Sequence, residues 1–188
     1  MGVGDYLYPS RGQVDRAAQH VFLHPDYDES PNRLLYDVAL IKIDPPVQFS
    51  RTIAPIALPV SEYQAPNRYN CVTAGWHMTR KDGYAMSDTL VHHLRMIIEP
   101  NGMCQKKWDE QFDATSMICS NTMTEREASC YGDSGGPLAC REGQVWTLFG
   151  VVSMGETRSR CINSTKPLLS SRVTSIISWV RQIQKEQE

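Results

Sequence analysis

The chain has 188 residues, of which 41% are hydrophobic, and it carries a net charge of −2. This length and apolar content suffice for one or two adjoining cores and exclude an intrinsically disordered chain. The basic residues are scattered, which excludes the positive patch of a nucleic-acid-binding protein, and no apolar run approaches the roughly 20 residues of a membrane-spanning helix.

Short apolar runs broken by turn residues follow one another along most of the chain and are typical of an all-β protein. Strands are predicted, in chain order, at residues 19–23, 38–43, 71–76, 90–97, 137–140 and 145–153. Residues 53–66 are rich in proline and alanine and are expected to bridge two halves of the chain, whereas residues 102–108 are expected to form a short helix.

The carboxyl-terminal tail has a different pattern. Apolar residues recur there at helical spacing, at Ile176, Ile177, Val180 and Ile183. The pattern predicts a last helix, packed on the β-body, which Thr174 is placed to cap.

The six cysteines are an even number and indicate an oxidising compartment, although composition alone leaves their pairing open. None lies in a C-x-x-C or C-x-x-H spacing, so neither a zinc site nor any other metal or cofactor is expected. Residues 1–13 lack the basic and apolar regions of a signal peptide. Because an extracellular chain needs such a signal, we expect the amino-terminal part of the sequence to be incomplete or alternative.

The clearest chemistry lies in residues 131–137, with the sequence Y-G-D-S-G-G-P. A serine hydroxyl is a weak nucleophile unless a base removes its proton, and its oxyanion product needs backbone N–H donors aimed at one point. Gly132 has no side chain to obstruct, so its N–H can turn toward the same point as the N–H of Ser134. A bare S-G-G would favour a simple turn, but the string G-D-S-G-G-P resembles the nucleophile motif of the trypsin-like serine protease family.

Other segments resemble the same family in the family's order. Residues 24–27, H-P-D-Y, are similar to a turn upstream of the triad aspartate, and residues 36–41, Y-D-V-A-L-I, to the strand that begins with that aspartate, here Asp37. Residues 71–76, C-V-T-A-G-W, resemble the first strand of the second barrel. Residues 151–153, V-V-S, resemble the strand beside the specificity pocket. Together these segments cover nearly the whole chain.

The resemblance implies an all-β fold with two six-stranded antiparallel β-barrels of the chymotrypsin type, the first incomplete, and a C-terminal α-helix. Residues 1–188 would form a single peptidase S1-like domain that lacks its amino-terminal segment. Residues 1–55 would hold the partial first barrel, and residues 56–188 the second barrel with the helix.

The resemblance also implies how the cysteines pair. Matched position by position, the pairs are Cys71–Cys140, Cys104–Cys119 and Cys130–Cys161. Since every cysteine is then used, the chain is expected to be secreted. Asn163 begins the sequence N-S-T, an N-glycosylation acceptor for a chain on the secretory route.

The implied activity is that of a serine endopeptidase acting on peptide or protein substrates. In this resemblance Ser134 is the nucleophile, Asp37 orients the base, and the N–H groups of Gly132 and Ser134 form the oxyanion hole. The specificity pocket would be lined by Ala128, Ser153, Gly155 and Leu168. Ala128 offers no charge to a basic side chain and Leu168 replaces a glycine deep in the pocket, so the pocket is expected to be shallow and apolar.

The catalytic histidine of the family lies in an A-A-H-C segment that does not occur in this sequence. His20 and His24 are the only histidines before Asp37, and both are interpreted as ordinary surface residues. Asp133 would also lack the new amino terminus with which it pairs in activated relatives. The chain by itself is therefore predicted to be inactive, and two functions stay open: an endopeptidase completed by a missing segment, or a non-catalytic protease-like protein that acts by binding a protein partner.

Overall fold

The computed structural model describes residues 2–3, 13–30, 33–60, 65, 70–75, 78–79, 86–87, 91–123, 133–156 and 165–188. The helices in these ranges are α1 (Asn101–Trp108), which continues into a 3-10 turn at Asp109–Gln111, and α2 (Val173–Glu186). The strands are β1 (Gly2–Val3), β2 (Val14–Asp15), β3 (Ala17–Leu23), β4 (Asp28–Ser30), β5 (Arg33–Leu35), β6 (Ala39–Asp44), β7 (Asn70–Gly75), β8 (Met78–Thr79), β9 (Met86–Ser87), β10 (His92–Ile98), β11 (Met117–Thr122), β12 (Pro137–Glu142), β13 (Val145–Met154) and β14 (Leu168–Arg172).

Six strands from the second half of the chain form a closed barrel, in the order β10-β11-β14-β13-β12-β7. All of their pairings are antiparallel. On β10, Leu94, Met96 and Ile98 are buried, while His93 and Arg95 between them are exposed, because successive side chains of a strand point to opposite faces. Closure leaves none of these six strands at the edge of a sheet. The fold class expected from the sequence is confirmed here: a chymotrypsin-like barrel followed by a C-terminal helix.

The first half of the chain is organised as small sheets. Strands β3 and β6 pair antiparallel and form a sheet of two strands, as do β4 and β5. On one face of the β3–β6 sheet, the Lys42 ammonium donates to the carbonyl and the side-chain oxygen of Gln187, the residue after α2, at 3.3 and 3.2 Å. On the opposite face, Val21, Leu23 and Ile41 are exposed. This sheet therefore presents an uncovered apolar surface.

Helix α2 buries one stripe against the rest of the molecule. The buried side chains lie at the spacing of one helical face: Val173, Ile176, Ile177 and Val180. The helix begins at Val173, with Arg172 as its N-cap residue and no side-chain cap, so the assignment of Thr174 as the cap was wrong. Neither α1 nor α2 is both long and apolar enough to cross a membrane, and no other helix occurs in the described ranges.

Two disulfides brace the barrel. Cys71 and Cys140 lie directly opposite each other on β7 and β12 and are joined within the barrel. Cys104 and Cys119 tie α1 to β11, where Trp108 and Phe112 pack around them. Both pairs are among those that the resemblance implies. The third implied pair, Cys130–Cys161, lies outside the described residues.

Candidate active site

Ser134 lies at an exposed tight turn immediately before β12. The Gly136 N–H donates to the Asp133 carbonyl at 2.8 Å and closes this turn. Gly135 has φ +81°, a left-handed conformation that glycine adopts without the steric cost of a side chain. The turn thus places Ser134 at the surface, where its hydroxyl is accessible to a substrate, as a nucleophile requires.

Strand β13 holds this turn in place. The Gly135 N–H donates to the Val152 carbonyl, and the Val152 N–H donates to the Gly136 carbonyl, both at 2.8 Å. These two bonds attach the Ser134 turn to β13 through both main-chain groups of Val152. The Ser134 turn is therefore held by the closed barrel.

Asp133, next to Ser134, is buried, with 2% of its surface exposed. Its carboxylate lies against Gly75 at the end of β7, so closely that a Cβ on Gly75 would collide with the Asp133 Oδ1 atom. Only glycine fits this position without moving the carboxylate. The Asp133 carboxylate is therefore accommodated by the last residue of β7.

Asp37 precedes β6 in the first half of the chain, and its carboxylate reaches the second half. Its Oδ2 atom accepts a hydrogen bond from the Ser153 hydroxyl at 2.7 Å. Ser153 occupies an irregularity in the pairing of β13 with β14, where the register shifts between Val152 and Met154. Bulges of this kind redirect a side chain away from the strand's regular alternation. Consecutive residues of β13 thus hold the Ser134 turn and the Asp37 carboxylate.

His24 packs beneath the segment that carries Asp37. Its ring stacks on Tyr36 at a centroid distance of 4.5 Å and meets the edge of Trp179 of α2 at 4.8 Å. Only 6% of His24 is exposed, and its Nδ1 atom accepts a hydrogen bond from the Asp26 N–H. The interpretation of His24 as a surface residue was therefore wrong, because α2 covers it.

The buried position of His24 has a measurable consequence for pH. Burial lowers the pKa of His24 below its ordinary value of 6.5, and the nearby Asp26 carboxylate opposes this only in part. The unfolded chain therefore binds a proton at higher pH than the folded chain. Stability from neutral His24 is present above the unfolded pKa and is lost as the pH falls through the folded pKa. We expect the free energy of unfolding, measured with urea, to be lower at about pH 5.5 than at about pH 7.5.

The variant His24→Asn isolates this contribution, because its side-chain oxygen can still accept from the Asp26 N–H but does not titrate. We expect a lower stability at neutral pH from the lost ring packing and a flatter dependence on pH. His93→Asn changes an exposed histidine on β10 and should keep the wild-type slope. An equal flattening in both variants would contradict the assignment to His24.

The remaining predicted site residues divide into two groups. Gly155 and Leu168 face each other across the end of β13 and the start of β14: a Cβ on Gly155 would lie 3.6 Å from the Leu168 Cδ1 atom. The other predicted positions lie outside the described residues, namely Ala128, Gly132 and Asn163. In the described part of the chain, no cluster of three or more histidine, cysteine or acidic side chains is arranged to hold a metal ion.

One polar contact at the site was not predicted from the sequence. The Ser171 hydroxyl, on β14, donates to the Asp37 carbonyl at 2.8 Å. Ser171 belongs to no motif, and nothing in its local sequence distinguishes it from Ser170. The contact joins residues 134 positions apart, so only the fold reveals it.

Comparisons with known proteins agree with this geometry. The family model described as Trypsin matches residues 3–180. Human testisin is 30% identical over 169 residues, which are 87% of this chain and 52% of testisin, so the chain spans about half the length of that relative. A solved structure described as "Structure of GrC" superposes with a TM-score of 0.82 at 24% identity, covering 98% of this chain and 76% of that one, and supports the fold. The chain belongs to the trypsin family of serine proteases.

Proposed function

We propose that this protein is a serine endopeptidase of the secretory route in which Ser134 attacks peptide or protein substrates and Asp37 orients the base. The observation that carries the proposal is the double attachment at β13. Val152 holds the turn of Ser134 through its main chain, while the neighbouring Ser153 hydroxyl donates to Asp37. The Ser134 turn and the Asp37 carboxylate are thereby attached to neighbouring residues of one strand, and a catalytic triad needs its members in a fixed mutual geometry. The disulfides support an oxidising compartment.

We further propose that none of the four histidines in the described residues, His20, His24, His92 and His93, is the base for Ser134. His24 is enclosed by Tyr36 and Trp179, and its Nδ1 atom is occupied by the Asp26 N–H. His20 lies exposed on β3, opposite Lys42, and His92 and His93 lie on β10 among the strand pairs of the barrel. A histidine from outside these residues would have to complete the triad.

The proposed substrate class follows from the pocket residues. Ala128 carries no charge, so a Lys or Arg side chain would be buried without a partner, at a cost of several kcal/mol. Leu168 reaches toward Gly155 and takes up space between the two strands. We therefore propose that the completed enzyme cleaves after small or medium aliphatic residues, with the Gly132 and Ser134 N–H groups as the oxyanion hole.

The second candidate is a non-catalytic protein that binds a protein partner. The uncovered apolar face of the β3–β6 sheet favours it, because Val21, Leu23 and Ile41 would be buried by added β-strands. The occupant proposed for this face is a β-strand segment of a protein partner.

A fluorophosphonate probe tests the proposal on the chain itself. Such a probe reacts quickly only when a positioned base deprotonates the serine and formed donors receive the oxyanion. We expect the refolded chain to be labelled at Ser134 no faster than a Ser134→Ala control. Fast labelling that disappears in the control would contradict the absence of a base, and the variants His20→Ala, His24→Ala and His92→Ala would then identify its source.

A further inference from the structure

Asp37 lies in a short loop and takes no part in the hydrogen-bond ladder of a strand. It lies between β5 and β6, directly after Tyr36, whose φ of +48° is in the left-handed region. The Val38 N–H donates to the Tyr36 carbonyl at 2.7 Å, so Asp37 is the central residue of a three-residue turn. The orientation of its side chain therefore depends on what holds the turn.

Two serine hydroxyls on adjacent strands of the barrel hold the two ends of this residue. Ser153 on β13 donates to the carboxylate at 2.7 Å, and Ser171 on β14 donates to the main-chain carbonyl at 2.8 Å. A carbonyl can only accept, so the Ser171 hydroxyl must be the donor. With only one of these two hydrogen bonds, Asp37 could still change its orientation about that bond. Two attachments at separate atoms fix both its position and its direction.

Ser171 is well suited to act as an anchor. It is 3% exposed, and β14 is paired on both sides, with Ser171 opposite Met117 of β11 and Val151 of β13. Its own position is thus fixed by the closed barrel. Ser170 is also fully buried, but its hydroxyl has no hydrogen-bond partner among the described residues. The two serines are neighbours in sequence and alike in burial, and differ in the contact with Asp37.

We propose that Ser171 is a positioning residue for Asp37: its hydroxyl clamps the turn to β14, so that the carboxylate meets Ser153 and the base in the catalytic orientation. This inference rests on the proposed function, because it matters for catalysis only if Asp37 orients a histidine. The clamp itself is a property of the 188-residue chain. It can be measured without any activity.

The first test is amide hydrogen exchange by NMR on the refolded chain. Ser171→Ala removes the donor, and we expect the Val38 amide to exchange faster by about tenfold, the factor that one ordinary hydrogen bond supplies. Ser170→Ala removes an equally buried hydroxyl and should leave Val38 unchanged, as should Ser171→Thr, which keeps the donor. Exchange of buried α2 amides reports any global loss of stability. Unchanged Val38 exchange in Ser171→Ala would overturn the clamp.

The second test uses the chain completed by a histidine-bearing segment. A misplaced catalytic group loses rate without losing substrate affinity, so we expect Ser171→Ala to lower kcat by about 10- to 100-fold with KM nearly unchanged. Ser171→Thr should restore kcat. Equal kcat in the completed wild-type enzyme and Ser171→Ala would refute the positioning role. An inactive completed wild-type enzyme would instead contradict the proposed function, and the exchange test would still decide the clamp.

Discussion

Peptide hydrolysis is expected to rise by about a million-fold when the histidine segment of a related protease is supplied to this chain. The change is a chimera in which the amino-terminal segment of a related trypsin-family protease, with its activation site and its A-A-H-C histidine, precedes residue 1. The loss of a triad member in a related system costs a factor of this size, which corresponds to about 8 kcal/mol of transition-state stabilisation. The activated chimera and the 188-residue chain are compared by kcat/KM on one peptide substrate.

The size of the gain follows from what the chain already holds. Asp37 is attached to Ser153, and the Ser134 turn is bonded to Val152, so these parts need no rearrangement. The segment also supplies a new amino terminus for Asp133, which lies buried beside Gly75. Ser134→Ala in the chimera should return hydrolysis to the level of the chain alone. A correctly folded, activated chimera without a gain in activity would contradict the catalytic proposal and favour the binding protein.

Much of the barrel follows from simple alternation in the sequence. The predicted strand at residues 90–97 is observed as His92–Ile98, in which the buried side chains of Leu94, Met96 and Ile98 alternate with more exposed ones. Strands β11 and β14 were not predicted. Their buried positions include Ser120 and Ser170, which interrupt the apolar pattern, although both are fully enclosed. A pattern based on side-chain polarity cannot detect a serine that the fold buries.

At the candidate site, too, some features could be predicted from the sequence and others only from the fold. Ser134 and Asp37 lie in motifs that resemble those of a known family, so the sequence predicts both as site residues. The contacts that hold them join distant parts of the chain: Ser153 is 116 positions from Asp37, and Ser171 is 134 positions away. His24 was assigned to the surface for the same reason, since Trp179 of α2 covers it. Local sequence contains no information about such partners.

Replacement of Leu168 is expected to change the substrate preference of the completed enzyme. In the wild type, substrates with alanine or valine before the cleaved bond should be preferred. The Leu168 Cδ1 atom would lie 3.6 Å from a Cβ on Gly155, so the leucine side chain lies beside Gly155. Leu168→Gly removes this side chain. It should admit a larger apolar group, whose burial is worth about 1.5–3 kcal/mol.

The expected result is a rise of about 10- to 150-fold in kcat/KM for substrates with phenylalanine at that position, the factor that this burial energy supplies. Substrates with alanine should change little, since their methyl group does not reach the enlarged space. Arginine substrates should stay poor in both enzymes, because Ala128 provides no carboxylate and Leu168→Gly adds none. The measurement is a panel of peptides that differ only in this residue. Efficient cleavage after arginine, or a Leu168→Gly profile identical to the wild type, would show that Leu168 and Ala128 do not line the substrate pocket.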